Sequence, residues 1–267
     1  MRQFVVLLAL AVATVTGSLI PQPGFPEGRV INGEAAKVGE APFIVSLQTP
    51  QGSHFCGGSL IAEDRVLTAG HCMTSSHFLV VGGVNDRTDQ SNAQVRVVSN
   101  SSQYVVHKQY SGSVGPYDIA MIHLDEPFNL NAVARDGSYP MAAIDLPSKN
   151  YQGTGDGTLY GWGRDYWGAV PLVLQKLDTD IVDSKTCADE LPSNSKLHET
   201  NVCSHIKGKP DGACNGDSGG PMVQGNTLVG IVSWGYTPCA TTTYPSVYTD
   251  VGCYIDWIAE QSAKFRS

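Results

Sequence analysis

The sequence predicts an all-β fold, and three observations lead there. Gly is abundant (29 residues) and Pro frequent (15), while charged residues make up only 16%. That composition suits many tight turns and is unlike a coiled coil or a disordered chain. Short runs rich in β-branched and aromatic residues recur between turn signals along most of the chain, the pattern of a sandwich or barrel. Helical periodicity is confined to the C-terminal end.

In chain order, the β-rich runs are 43–48, 58–61, 66–69, 78–81, 94–98, 104–107 and 118–124. A Pro-, Asn- and Asp-rich stretch, 125–153, breaks the rhythm and reads as a crossing between two halves. The runs resume at 158–162, 174–182, 201–204, 221–223, 228–234 and 247–251. At the end, Tyr254, Trp257, Ile258, Gln261 and Phe265 form one mostly apolar stripe at helical spacing, predicting a helix over about 253–265 that docks on the body. Its opposite face is not basic, which argues against membrane binding.

The first residues carry a separate message. Met1-Arg2-Gln3 precede an apolar run, 4–15, and then the small residues Thr16, Gly17 and Ser18. This is the pattern of an export signal, 1–17; the run is short of the roughly 20 residues that span a bilayer. The segment 18–29 contains Pro21, Pro23, Gly24, Pro26 and Gly28, so it enters neither helix nor central strand and reads as an exposed leader. It ends at Arg29, before Val30-Ile31-Asn32-Gly33. A lone basic residue there is either a cleavable bond or an ordinary loop arginine. The expected product is secreted and extracellular.

A net charge of −8 with no basic run excludes nucleic acid as the natural partner. Seven cysteines in an oxidising compartment leave one unpaired. There is no Cys-x-x-Cys, and the neighbours His71 and Cys72 alone make a poor metal site. No metal and no cofactor are expected.

The sharpest local signal is Gly216-Asp217-Ser218-Gly219-Gly220. It contains Gly-x-Ser-x-Gly, but the elbow of an α/β-hydrolase needs a histidine after the serine, and none follows His205. A base must therefore precede Ser218. Thr68-Ala69-Gly70-His71-Cys72 offers a histidine, and Asp118-Ile119-Ala120-Met121 a carboxylate opening an apolar strand. Singly, these could be a core histidine, a strand-capping aspartate and a turn serine.

Together with Arg29-Val30-Ile31-Asn32-Gly33 and Ser233-Trp234-Gly235, the three segments resemble the trypsin/chymotrypsin family of serine proteases, in the family's order His, Asp, Ser. The resemblance covers roughly 30–265. It implies two packed six-stranded antiparallel β-barrels, about 43–137 and 138–252, within a protease domain spanning 30–267. It implies that Ser218 is the nucleophile, His71 the general base and Asp118 the group that orients His71. The N–H groups of Gly216 and Ser218 would form the oxyanion hole. Cleavage after Arg29 would free the Val30 amine to pair with Asp217; while the bond is intact it cannot. The implied disulfides are Cys56–Cys72, Cys187–Cys203 and Cys214–Cys239, each worth about 2–4 kcal/mol. Cys253 is left without a partner, as a buried thiol or an intermolecular link.

The resemblance also implies a pocket built by Gly212, Ala213, Ser233, Trp234, Gly235 and Ser246. Trypsins carry Asp where this chain has Gly212, and Asp211 is one position off; Ser246 stands where many relatives have Gly. The expectation is a large hydrophobic or aromatic residue before the cut bond, with broad, collagenase-like cleavage as the alternative. The Ser233-Trp234-Gly235 backbone would pair with substrate as an added strand. The family's calcium loop lacks its acidic start at Val81-Gly82-Gly83-Val84, leaving Asp86 and Asp89 as solvated charges. Asn100-Ser101-Ser102 is a glycosylation sequon. His54, His77, His107, His123, His198 and His205 read as surface or structural residues. The implied partners are protein and peptide substrates, an activating trypsin-like protease and protein inhibitors of a monomeric enzyme. A catalytically silent, protease-like binding protein is the competing reading.

Overall fold

The computed structural model describes residues 30–134, 140–165, 167–239 and 241–265. The expected signal, the leader and Arg29 lie outside these residues. After a two-residue strand β1 (Glu34–Ala35), the first half contains β2 (Ile44–Gln48), β3 (His54–Ala62), β4 (Arg65–Thr68), β5 (Phe78–Gly82), β6 (Gln94–Val98), β7 (Tyr104–Val106) and β8 (Ala120–His123). The second half contains β9 (Gly155–Gly161), β10 (Gln175–Val182), β11 (Asn201–His205), β12 (Pro221–Gln224), β13 (Thr227–Trp234) and β14 (Ser246–Asp250). Each β-rich run of the sequence falls on one of these strands.

The strands pair antiparallel in two sheets. The second half runs β10-β11-β14-β13-β12-β9, and β9 returns to pair with β10, closing a six-stranded barrel with β1 added at β10. The first half runs β6-β5-β2-β3-β4-β8-β7 as a curved sheet whose end strands do not pair among the described residues, so the expected six-strand closure belongs to the second half. Strand β10 shows why the sequence reads as it does. Gln175, Leu177, Thr179 and Ile181 face in, while Asp178 and Asp180 face solvent, the two-residue period of a half-buried strand.

Two α-helices accompany the sheets among the described residues. The C-terminal stripe forms a 3-10 turn, Val251–Tyr254, and then α2 (Ile255–Lys264). It leaves the second half and docks on the first: Arg65 donates to the Ser262 carbonyl, and Phe265 stacks on His123 with ring centroids 4.8 Å apart. The helix α1 (Ser184–Glu190) was not expected. The Asp183 carboxylate caps it by accepting from Thr186 N at 2.7 Å, and of its residues only Cys187 is buried. Two turns with a single inward residue leave no periodic stripe to read.

The main core spans β2–β5 and β8 and includes Leu47, Leu60, Leu67, Ile119 and Ile122, all without exposure; burying each such side chain contributes about 2 kcal/mol. Between the halves the backbones come close. Gly57 N donates to Ser218 O at 2.8 Å, and a Cβ on Gly57 would lie 2.9 Å from Gly220 Cα. Only glycine permits that approach, which ties the turn carrying Ser218 to the first half.

Candidate active site

The seam between the halves collects the chemistry. His71 sits in the 3-10 turn Gly70–Cys72 that follows β4. Asp118 lies just before β8, buried at 3% exposure. Its two oxygens take separate donors from one residue: Oδ1 accepts His71 N at 2.9 Å and Oδ2 accepts His71 Nδ1–H at 2.8 Å. From the second half, Ser233 Oγ donates to Oδ2 at 2.6 Å and Thr249 Oγ1 donates to the Asp118 carbonyl at 2.8 Å. A buried carboxylate without such donors would be costly. With its Nδ1 proton committed to Asp118, neutral His71 presents an unprotonated Nε2.

Ser218 and His71 line one cleft of about 320 Å³, together with Ala213, Asn215, Trp234 and Gly235. Among the described residues the Ser218 hydroxyl forms no hydrogen bond; a nucleophile's contact to its base commonly tightens when substrate binds. The N–H groups of Gly216 and Ser218 donate to no backbone carbonyl among the described residues, whereas the flanking Asp217, Gly219 and Gly220 N–H groups do. Gly216 has φ +103°, a conformation that favours glycine.

The cysteines form three bridges: Cys56–Cys72, Cys187–Cys203 and Cys214–Cys239. Cys56, His71 and Cys72 lie close enough to share an ion, but the two sulfurs are bonded to each other, which removes both thiolate donors. The first bridge braces the turn of His71 and the last joins the two sides of the cleft.

The Trypsin family model matches residues 30–258. The chain belongs to the trypsin family of serine proteases. It is 51% identical over 265 residues to Lectizyme of Glossina austeni, covering 97% of this chain and 96% of that protein. It is 39% identical to Trypsin theta of Drosophila melanogaster, covering 98% of each. Over 280 residues it is 32% identical to Hypodermin-B of Hypoderma lineatum, covering 99% of this chain and all of that protein. The chain is therefore a serine endopeptidase, a hydrolase acting on protein substrates.

In this trypsin-family protease no acidic side chain lines the cleft among the described residues. Asp211 is turned away, its carboxylate accepting from Ile206 N, and burial pushes its pKa up to about 6. Gly212 and Ser246, which the resemblance put in the pocket, lie beside each other next to Ala213 but are not among the residues that line this cleft. Ser246 Oγ accepts from Ala213 N at 3.0 Å, and a Cβ on Gly212 would meet Ser246 Oγ at 2.2 Å. A Cβ on Gly235 would meet nothing within 4 Å, so the mouth of the cleft is open.

Asp217 is wholly buried. Its carboxylate accepts from Gly163 N at 2.7 Å and Cys214 N at 2.9 Å, and burial pushes its pKa up to about 6. No described basic side chain pairs with it. Val30 is also fully buried, packed with Leu159, Val232 and Tyr248, and the adjoining Ile31 bridges to Gly212. Cys253 is half-buried and outside the three bridges; burial and then the neighbouring Asp250 push its pKa up to about 12. Asn100 is exposed and caps a 3-10 turn, accepting from Ser102 N. Asp86 and Asp89 accept from neighbours in their own loop.

His54, read from the sequence as a surface or structural histidine, holds the turn that carries Ser218. Its Nε2–H donates to Gly216 O at 2.8 Å, and its Nδ1 accepts from Ser46 Oγ at 2.8 Å. Burial, and then the charge of Arg87, lower its pKa to about 4, so it is a neutral clamp on the carbonyl of Gly216, at the start of the turn that carries Ser218. Its partner is 162 residues away, and no local motif signals the pairing.

Proposed function

We propose that the chain is made as a secreted precursor, activated by cleavage after Arg29, and then cuts proteins after large hydrophobic or aromatic residues. Ser218 Oγ bonds to the scissile carbonyl carbon as His71 Nε2 takes its proton. The resulting oxyanion is held by the Gly216 and Ser218 N–H groups. The C–N bond then breaks as His71 returns the proton to the leaving amine, and water repeats the sequence to free Ser218. Asp118 holds His71 in the productive tautomer and stabilises the imidazolium. One observation carries this reading: the Asp118 carboxylate grips both His71 N and His71 Nδ1 and receives Ser233, across a cleft shared with an unbonded Ser218.

Activation follows from Asp217. Its buried carboxylate has two N–H donors and no described cation, so the new Val30 ammonium would supply the missing charge. The apolar preference rests on the uncharged cleft, the outward turn of Asp211 and the open mouth at Gly235. The Ser246 hydroxyl narrows the region behind Ala213. Relatives named trypsin do not transfer a basic preference to a chain with Gly212 at this place. Exposure of Asn100 makes it the site for a glycan in the secretory route. An activating trypsin-like protease and protein inhibitors are the further partners of this reading, and the active form is a monomer.

The test has two stages. The chain is cut at Arg29 by added trypsin, and Ser218 is titrated with a phosphonylating reagent before and after. The cut form is then profiled on a peptide library. Labelling at Ser218 that rises sharply on cutting, with Phe, Tyr, Trp or Leu preferred before the cut bond, is expected. No adduct after cutting would favour a silent binding protein, and a flat profile would favour the broad, collagenase-like alternative.

A further inference from the structure

The residue before Asp118 is held in an unusual backbone state. Tyr117 has φ +64°, a left-handed conformation that a bulky L-residue adopts only when its surroundings impose it. Its carbonyl accepts Ile119 N at 2.8 Å, folding the chain tightly around Asp118. Its N–H donates to Tyr254 Oη at 3.0 Å. Tyr254 is 4% exposed, and its hydroxyl donates onward to Thr200 Oγ1 at 3.0 Å, which in turn lies 3.0 Å from His198 Nδ1. The Tyr117 ring stacks on His107 with centroids 4.9 Å apart and planes 9° from parallel.

Tyr117 belongs to the first half of the fold, while Thr200 and Tyr254 flank β11 and β14 of the second. The hydrogen-bonded row therefore crosses the same seam as the cleft. Ser233 and Thr249 fix the Asp118 side chain and carbonyl. The direction from which the chain enters Asp118 is left to Tyr117.

We propose that Tyr254, braced by Thr200, is a positioning residue of the active site: its hydroxyl holds Tyr117 in the left-handed state and so aims the Asp118 carboxylate at His71. The inference rests on the reading in which Asp118 orients His71. It distinguishes two roles for one hydroxyl. A packing role would lower stability and leave turnover per folded molecule intact. A positioning role lowers kcat in molecules that are fully folded and bind substrate normally. It also disappears when residue 117 no longer needs to be held, because glycine reaches φ near +64° without strain.

The test uses the full chain, cut at Arg29, as wild type, Tyr254→Phe, Tyr117→Gly and the double variant. Functional sites are titrated with the phosphonylating reagent, and kcat and KM are measured on one peptide amide. Tyr254→Phe is expected to lower kcat about tenfold with KM within about twofold. In the Tyr117→Gly background the same change is expected to cost less than about twofold. Thr200→Val, which removes only the brace, is expected to lower kcat about threefold and serves if Tyr254→Phe folds poorly. An unchanged kcat in Tyr254→Phe and Thr200→Val, an equal loss in both backgrounds, or a loss confined to the number of titratable sites would overturn the proposal. A wild-type chain without titratable sites, or an Asp118→Asn variant with full kcat, would instead remove the reading beneath it.

Discussion

Cutting the chain after Arg29 should change how its stability depends on pH, and Asp217 sets the size of the change. In the intact chain its carboxyl is fully buried with two N–H donors, and its pKa is raised from 3.8 to about 6. Between those values the native chain keeps a proton that the unfolded chain has released, so folding weakens as pH rises through the window. Above about pH 6 the whole penalty is present: a rise of about two pKa units corresponds to about 3 kcal/mol. In the cut chain the Val30 ammonium supplies a counter-charge, Asp217 ionises in the folded state at low pH, and the penalty does not develop. Asp211 and Asp250 are also raised to about 6 by burial, but they are common to both forms and cancel in the difference. The comparison uses Arg29→Gln as the intact form and the cut chain as the other, both carrying Ser218→Ala to prevent self-digestion. Urea unfolding of each is followed from pH 4 to pH 7, below the range where a free α-amino group titrates. The stability gap in favour of the cut form should widen by about 3 kcal/mol across that range. Parallel pH curves for the two forms would refute the claim that Asp217 waits unpaired for the new terminus.

Replacing His54 by Phe removes the donor to Gly216 O and leaves that carbonyl and Ser46 Oγ to find other partners. Active-site-titrated kcat/KM should fall about 10- to 100-fold as the turn that carries Ser218 loses its hold; a change under about twofold would show that the clamp is not needed. Ser246→Gly deletes the hydroxyl that stands 2.2 Å from a Cβ position on Gly212. The ratio of kcat/KM for Trp over Leu before the cut bond should rise about threefold to tenfold, and an unchanged ratio on paired substrates would separate Ser246 from specificity.

The strands were legible because each half-buried run carries its own period and its own turn signals. Residues 94–98 show it: the run read from the sequence coincides with β6. The helix α1 was not legible, because a short helix stapled by Cys187 and capped by Asp183 has only one buried residue to declare itself. The closure of β9 onto β10 was expected only through the family resemblance, since strand pairing at long range leaves no mark in local periodicity. Among the site residues, His71, Asp118 and Ser218 stand in short motifs. His54, Tyr117 and Tyr254 stand in none, and each acts through a partner far away along the chain: Gly216 for His54, and Tyr254 for Tyr117, 137 residues apart.

The β class and the strand order were therefore readable from side-chain type and near-neighbour spacing, and the acyl-transfer residues from the family resemblance that their short motifs carry. How the two halves meet, which hydroxyls secure Asp118 and what holds the Gly216 carbonyl in place were fixed by folding in three dimensions. Those features are contacts across a seam between segments more than a hundred residues apart, and their geometry exists only once both halves have folded and packed.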